Sequence, residues 1–223
     1  MKLLYVSAGE FPMGSTDSDI QALPNEKPQH TVYLDAFWID QTEVTNTMYK
    51  LCVQAGLCQA PSDTTYYADA QTGNYPVVYV SWNDAQAYCR WAGRHLPTEA
   101  QWEKAARGTD GRTYPWGEGI GCDKANYSGC TYKVIAVGSY PAGASPYGAL
   151  DMAGNVWEWV ADWYGENYYA SSPSNNPIGP DSGQYRIVRG GSWLDEARLV
   201  RAALRDRYNP DVLSGSLGFR CSR

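Results

Sequence analysis

The 223-residue sequence has little charge, few basic residues and no long apolar run. Charged residues make up 19% of the chain, and acidic residues outnumber basic ones by 24 to 18, which gives a net charge of -6. An acidic surface disfavours nucleic acid and anionic membranes as partners. No apolar run approaches the roughly 20 residues that a membrane-spanning helix needs. We therefore expect no nucleic-acid partner and no membrane span.

The first residues also lack a targeting signal. The segment from Met1 to Ser7 carries one lysine and a few apolar residues, but it has no signal-peptide core. We interpret it as a first strand, and we expect a cytoplasmic protein if the chain is complete. The abrupt start equally allows a domain that belongs to a longer protein.

Aromatic residues, glycine and proline are abundant instead. Aromatic side chains make up 13% of the chain, nearly all of them Tyr or Trp, and there are 22 Gly and 13 Pro residues. This composition is not that of a helical bundle, a coiled coil or a disordered tail. It is typical of a loop-rich α+β domain in which aromatic rings pack against irregular backbone. We predict a single domain over residues 1–223.

Capping signals predict three helices, and short apolar stretches predict several strands. The helices are predicted to begin at Thr45 or Asn46, at Ser81 and at Thr98, and to end at Gly56, Gly93 and Gly108. One strand is predicted over Thr31–Asp40, with Val32, Leu34, Ala36 and Trp38 on one side. Short strands are predicted at Ile187–Trp193, Val200–Arg205 and Gly218–Ser222.

Six cysteines leave two interpretations open. Cys52 and Cys58 bound one short loop, and Cys122 and Cys130 bound another, both in turn-rich sequence. A disulfide in each loop would contribute roughly 2–3 kcal/mol, and we predict both. The alternative is that these are reduced thiols of a cytosolic protein. Cys89 and Cys221 are interpreted either as buried thiols or as a pair that joins distant parts of the fold.

A series of short motifs then carries a resemblance that covers essentially the whole chain. In order, the motifs are Gly9–Ser15, Glu43–Asn46, Pro76–Trp82, Arg94–Glu103, Tyr114–Gly117, Gly154–Trp159, Arg189–Trp193 and Gly218–Arg220. They resemble the formylglycine-generating enzyme, or sulfatase-modifying factor, family. The resemblance implies this family's variant of the C-type-lectin fold, an α+β domain of small antiparallel sheets, two or three helices and much irregular loop.

The resemblance does not extend to the catalytic thiols. Enzymes of this family oxidise a substrate cysteine with two cysteines of their own that hold copper, and the matching positions here are Asp195 and Val200. Neither side chain can supply a thiolate for copper, so we expect no copper. The related iron-dependent sulfoxide synthases use a histidine-rich site, which His30 and His95 alone cannot build. We expect His95 to have a structural role.

One metal site of the family is retained in the sequence. The resemblance implies a structural calcium ion bound by the carboxylates of Asp151 and Glu158 and by the main-chain carbonyls of Gly154 and Val156. Oxygen donors of this kind suit a hard cation. The alternative is that the two carboxylates only cap nearby backbone N–H groups.

The segment from residue 189 to residue 220 resembles the variable region of proteins diversified by diversity-generating retroelements. Frame residues recur along it, and residues of mixed chemistry lie between them, which is typical of a binding patch. We expect arginines 198, 201, 205 and 207 of this segment to pair with acidic side chains. The predicted ligand-binding residues are Trp193, Leu194, Asp195, Glu196, Leu199, Leu204, Asp206, Tyr208, Asn209, Val212, Leu213, Ser214, Gly215 and Ser216.

The sequence therefore predicts a monomeric, non-catalytic ligand-binding domain whose partner is a protein or another ligand. Three alternatives remain. The domain could be a sulfatase-modifying-factor-type enzyme, or a regulatory or sensor domain of a longer signalling protein. The residues between the frame positions could also be ordinary loop filling, with Leu199 and Leu204 in the core.

Overall fold

The computed structural model describes all residues, 1–223, and has the predicted α+β architecture. Three helices begin where the capping signals predict. Thr45 caps α1 (Asn46–Gln54), and Ser81 and Thr98 form capping boxes at α3 (Trp82–Trp91) and α4 (Glu99–Arg107). The short α2 (Thr65–Ala68) has no side-chain cap and was not predicted. No helix is long and apolar enough to cross a membrane.

The first half of the chain forms two antiparallel strand pairs. Strand β1 (Leu3–Val6) pairs with β4 (Phe37–Asp40), and β2 (Gly9–Met13) pairs with β3 (His30–Leu34).

The predicted single strand over Thr31–Asp40 is wrong, because the chain breaks between β3 and β4. Val32 and Leu34 are buried, but Ala36 and Trp38 are exposed. The two residues between the strands shift the alternation, so that Phe37 and Ile39 face the core.

The last third of the chain builds a four-stranded sheet in the order β7-β6-β5-β8. Its strands are β5 (Trp157–Trp163), β6 (Arg186–Arg189), β7 (Arg205–Tyr208) and β8 (Leu217–Phe219). Strand β8 is parallel to β5, and the other neighbours are antiparallel. The strand predicted at Val200–Arg205 is displaced, because Ala197–Leu199 forms a 3-10 helix and the strand begins only at Arg205.

This sheet separates two apolar clusters. Trp159 and Val188 face one cluster, and their strand neighbours Val160 and Ile187 face the other. Helices α1 and α3 cover the first cluster, and α4 with the strand pairs of the first half covers the second. Helices and strands alone therefore cover both faces of the sheet.

Three disulfides join all six cysteines. Cys52–Cys58 and Cys122–Cys130 close the two short loops, and Cys89–Cys221 links α3 to the end of the chain across 132 residues. The last bridge ties the residues after β8 to the helical side of the core.

Buried arginines of the C-terminal segment pair with glutamates elsewhere in the chain. Arg189 binds Glu103 at 2.5 Å, and Arg205 binds Glu99 at 2.7 Å, with every one of these side chains at least 98% buried. Arg201 and Arg220 form similar pairs with Glu26 and Glu158. The expected pairing of the basic residues is thus seen at positions 201 and 205. Arg198 pairs with Glu196 on the surface, whereas Arg207 lies over the ring of Tyr164.

One buried carboxyl has no comparable partner. Asp162 on β5 accepts a hydrogen bond from the backbone N–H of Glu99 at 2.8 Å, at the start of α4. Burial, together with the nearby Glu99 carboxylate, raises the pKa of Asp162 from its ordinary 3.8 to about 7, although Arg205 and Arg186 oppose the shift. Folding therefore favours the protonated form of this side chain.

We predict that Asp162→Asn removes a pH dependence of stability. Because the folded pKa lies above the unfolded one, the stabilising proton is bound at low pH and is lost as the pH rises toward 7. Between the ordinary pKa of 3.8 and the folded pKa of about 7, the melting temperature of the wild type should fall relative to that of Asp162→Asn. It should stay below that of the variant at about pH 8. The exposed Asp181→Asn is the control and should follow the wild type. Parallel curves for the wild type and Asp162→Asn would contradict the assignment.

Candidate functional site

The C-terminal segment is held in place by close main-chain contacts. Gly191 has a positive φ of 71°, and a Cβ atom there would lie 2.5 Å from a methyl carbon of Val200. The next turn is fixed by the backbone N–H of Trp193, which donates to the carbonyl of Asn155 at 3.0 Å. Only glycine at position 191 allows both the left-handed backbone and the close approach to Val200. The GGS motif therefore sets the path of the residues that follow.

All but one of the predicted ligand-binding residues are exposed or half-buried. The exception is Leu204, which is only 2% exposed and packs in the core on the side of α1 and α3. Its assignment to the binding surface is wrong, because the side chain just before β7 points inward. Leu194 and Leu213 are 58% and 46% exposed, and they add apolar area to this surface. We call the remaining predicted residues, from Trp193 to Ser216 without Leu204, the C-terminal patch.

Side chains along strand β7 alternate between a face that belongs to the frame and a face that belongs to the patch. Arg205 faces inward to Glu99, whereas Asp206 and Tyr208 belong to the opposite face. Burial raises the pKa of Asp206, and the nearby Asp195 carboxylate adds to that effect. Asp195 and Asp206 thus form a small acidic centre in the patch, with Tyr208 beside them.

The two positions that the resemblance matches with catalytic cysteines, Asp195 and Val200, have structural contacts of their own. Asp195 accepts hydrogen bonds from the backbone N–H and the hydroxyl of Ser192, at 2.9 and 2.6 Å, and closes the turn after the GGS motif. Val200 is fully buried against Tyr114, Ala125 and Ala153. Neither side chain contains sulfur, and every cysteine of the chain is in a disulfide, so no thiol is available as a nucleophile.

The two histidines are bonded to nearby main chain. Nδ1 of His30 lies 3.1 Å from the carbonyl of Pro28, and Nδ1 of His95 lies 2.8 Å from the carbonyl of Leu96. They belong to different strand and loop regions and do not form a common site.

An aromatic group beside the patch was not found from the sequence. Tyr66 and Tyr75 stack with their ring centroids 6.1 Å apart, and together with Tyr79 and Trp193 they pack on a small apolar cluster. Tyr79 has a φ of 59°, which is strained for a bulky residue. The tyrosines between Tyr66 and Tyr79 are visible in the sequence as a local excess of aromatic residues. The sequence does not reveal the strained backbone of Tyr79.

Tyr79 is in contact with the patch itself. Its backbone N–H donates to the carbonyl of Ser214 at 3.0 Å, and its hydroxyl would lie 2.7 Å from a Cβ atom added to Gly215. The surface next to the patch therefore includes the side chain of Tyr79, which lies outside the C-terminal segment.

The patch is an open surface. Five cavities are present in the molecule, and none is lined by a predicted ligand-binding residue. An open face suits contact with a large partner better than enclosure of a small reactant.

The predicted calcium loop presents oxygen atoms without partners. Gly154 and Val156 are buried, and neither carbonyl accepts a hydrogen bond. Such groups normally find a partner, which can be a water molecule or an ion. One oxygen of Asp151 accepts from the backbone N–H of Gly138 at 2.6 Å, and the carboxyl group also lies within hydrogen-bond reach of the Glu43 side chain.

Glu158, the fourth predicted ligand, is engaged elsewhere. Its two oxygens accept hydrogen bonds from the guanidinium of Arg220 at 2.6 and 2.7 Å, and one also accepts from the indole N–H of Trp102. No group of three or more His, Cys, Asp or Glu side chains is arranged to hold a metal. A cation in this loop would therefore depend on the main-chain carbonyls and on Asp151.

Glu43 is a further acidic residue that the sequence did not single out for this region. It is fully buried, and its Oε2 atom has no hydrogen-bond partner. Burial, followed by the neighbouring Asp151 and Glu158 carboxylates, raises the pKa of Glu43 well above its ordinary value. Three carboxyl groups thus lie together at this loop beside the partnerless carbonyls of Gly154 and Val156, and oxygen donors of this kind fit a hard cation.

Comparison with known proteins places the chain among relatives of two kinds. It is 37% identical to the formylglycine-generating enzyme of Streptomyces coelicolor, over 96% of this chain and 86% of that enzyme. It is 35% identical to the serine/threonine-protein kinase pkn1 of Chlamydia caviae, over the whole of this chain but only 38% of the kinase.

A solved structure shares the fold at similar length. The Treponema denticola variable protein 1 superposes with a TM-score of 0.81 and 26% identity, over 99% of this chain and 94% of that one. The family model described as the sulfatase-modifying factor enzyme 1-like domain matches residues 1–223. The chain therefore belongs to the sulfatase-modifying factor, or formylglycine-generating enzyme, family and has its C-type-lectin-like fold.

Proposed function

We propose that this domain is a non-catalytic ligand-binding protein, the variable protein of a diversity-generating retroelement. The observation that carries the proposal is the division of the C-terminal segment into a buried frame and an exposed patch. Gly191, Arg201, Arg205 and Arg220 are buried, and the patch residues between them reach the surface. The likeness to the Treponema variable protein supports the same interpretation.

This division allows the patch to change without loss of the fold. Substitutions on an exposed surface usually alter the free energy of unfolding by no more than about 0.5 kcal/mol. A buried frame arginine, in contrast, cannot be replaced without leaving a charged glutamate unpaired, at a cost of about 3–5 kcal/mol. The segment therefore has separate positions for diversity and for stability.

We predict a template repeat in the DNA beside the gene. A reverse transcriptase gene should accompany a near-copy of the sequence encoding residues 189–220, rich in Asn codons at the patch positions. Sequencing of the gene from many cells should find substitutions at the patch positions, and Leu204 should stay unchanged because it is buried. A locus without a template repeat would reject diversification and leave the binding role standing.

An enzyme of the formylglycine-generating type is the second candidate, and the identity to the Streptomyces enzyme favours it. That chemistry requires a thiolate pair for copper, whereas this chain has Asp195 and a buried Val200 at the two positions and keeps all its cysteines in disulfides. The binding role accounts for these features without a further reactive group.

We predict that the protein forms no aldehyde on a cysteine-containing sulfatase peptide in the presence of copper. The Streptomyces coelicolor enzyme serves as the positive control in the same assay, followed by mass spectrometry. Because neither matching position supplies a sulfur ligand, the mass of the peptide should stay unchanged. Turnover above the no-protein background would reject the non-catalytic proposal.

A role as a sensor domain of a longer protein is compatible with the binding role. The matching region makes up 38% of the chlamydial kinase, so that this type of domain also occurs beside other domains.

We further expect a monomer. The three disulfides favour an oxidising compartment over the cytoplasmic location expected from the sequence.

We also propose that the loop from Asp151 to Glu158 holds a structural calcium ion. The partnerless carbonyls of Gly154 and Val156 and the carboxyl group of Asp151 support it. An ion that binds only the folded state would stabilise the domain by mass action.

We predict that calcium raises the melting temperature of the wild type and that chelation reverses the rise. In Asp151→Asn the rise should be largely lost, because the amide keeps the hydrogen bond to Gly138 but removes the charge; asparagine also tolerates the positive φ of 58° at this position. The exposed Asp211→Asn is the control and should respond like the wild type. A melting temperature that is independent of calcium would reject the site.

A further inference from the structure

A polar groove lies outside the C-terminal patch, between the loop after β2 and the loop after α4. It consists of two cavities of about 290 and 300 Å³ that share Asp19, Thr113 and Arg201 in their linings. Only one of the residues lining the first cavity is hydrophobic. We call it the arginine groove, because Arg107 and Arg201 both line it.

Both arginines are buried parts of a built site. Arg107 is 4% exposed and donates to the carbonyls of Gly14 at 2.7 Å and Gly111 at 2.6 Å, so that it ties the two walls together. Its Nε atom is buried and has no hydrogen-bond partner. Arg201 is 2% exposed and donates to the carbonyl of Gln21 at 3.0 Å. The groove is therefore held open by fixed side chains.

The charges in the groove disfavour an anionic ligand. Glu103 pairs with Arg107 at 2.8 Å, and Glu26 pairs with Arg201 at 2.7 Å. Asp19 adds a further carboxylate, whose Oδ2 lies 3.6 Å from the Arg201 guanidinium and is only partly neutralised. A phosphate or carboxylate would meet paired arginines and an extra negative charge.

The same residues suit a ligand with many hydroxyl groups. Asp19 offers an acceptor, and Thr113 can both donate and accept. Tyr114 and Ile120 line the second cavity and supply an apolar wall, with Tyr114 stacked on Trp116 at 5.4 Å. Side chains of this kind can bind the hydroxyl groups of a sugar ring while an apolar wall packs against its C–H face.

We propose that the arginine groove binds a neutral saccharide. The two cavities are close in volume to the lower end of the range found for small-molecule sites, about 300 Å³. The site is separate from the C-terminal patch, none of whose residues line it. Its ligand could therefore be bound together with the partner of the patch.

The test is an NMR titration of the full-length, isotope-labelled protein. The probes are the methyl glycosides of glucose, galactose and mannose, N-acetylglucosamine, and inorganic phosphate. At least one sugar should shift the amide signals of Gly111 and Thr113 in a saturable way, and phosphate should not.

Two variants make the test specific. Asp19→Asn and Thr113→Val should each weaken sugar binding about tenfold, the loss expected when a hydrogen bond to the ligand is removed. Asp17→Asn lies in the same loop but does not line the groove, so it should bind like the wild type. Thr113→Val keeps the shape of the side chain, and it remains informative if Asp19→Asn destabilises the loop.

Three outcomes would overturn the proposal. The first is that no sugar of the panel shifts the groove signals. The second is that sugars shift them equally in the wild type and in both groove variants. The third is saturable binding of phosphate in place of the sugars. None of these outcomes bears on the C-terminal patch, so the proposed function would be unaffected.

Discussion

The C-terminal segment depends on buried arginine–glutamate pairs more than on any other interaction. Arg189, Arg205 and Arg220 each reach a glutamate that lies 62 to 106 residues away in the chain, with almost no exposure to solvent. A buried pair is favourable only when its geometry is good and its remaining hydrogen bonds are made. Arg189 meets most of this condition, since it also donates to the carbonyls of Ala202 and Ala203 and only its Nε atom has no partner. The pairs therefore fix the main chain around the patch as well as the core beneath it.

This constraint explains how a domain with so little regular structure can present a defined surface. The chain between β6 and β8 contains only one short strand, β7. Its path is set instead by Gly191 against Val200, by Asp195 in the turn after Ser192, and by Tyr79 against Gly215. Asp195 and Gly215 are the patch residues that take part in these contacts, whereas exposed side chains such as Leu194 and Leu213 contribute little to the stability of the fold.

Local signals in the sequence were sufficient for much of the fold. Ser81 with Asp84 and Thr98 with Gln101 form the predicted capping boxes, since a cap depends only on residues within one turn. The strand over Thr31–Asp40 failed, because a break of two residues between β3 and β4 reverses the alternation and leaves apolar residues on both sides of it. That break is decided by pairing with β1 and β2, which are distant in sequence.

The site shows the same limit. The positions of Asp195 and Val200 could be read from the GGS motif, and the outward residues of the patch followed from the spacing of the frame. Leu204 could not be separated from Leu194 and Leu213 by sequence, since only the start of β7 turns it into the core. Glu43 reaches the loop from Asp151 to Glu158 from more than 100 residues away, where it accepts a hydrogen bond from Asn155, so no local motif could include it.

The side chains at positions 195 and 200 take part in the packing of the scaffold. Val200 fills its position with a fully buried side chain packed on Tyr114, and Asp195 turns its carboxylate back to Ser192. The buried arginines fix the frame through other contacts, so the residues at these two positions can differ between members of the family while the fold is kept. Fold and chemistry are thus separate properties in this family, and the function of this chain depends on the residues that it places on its own surface.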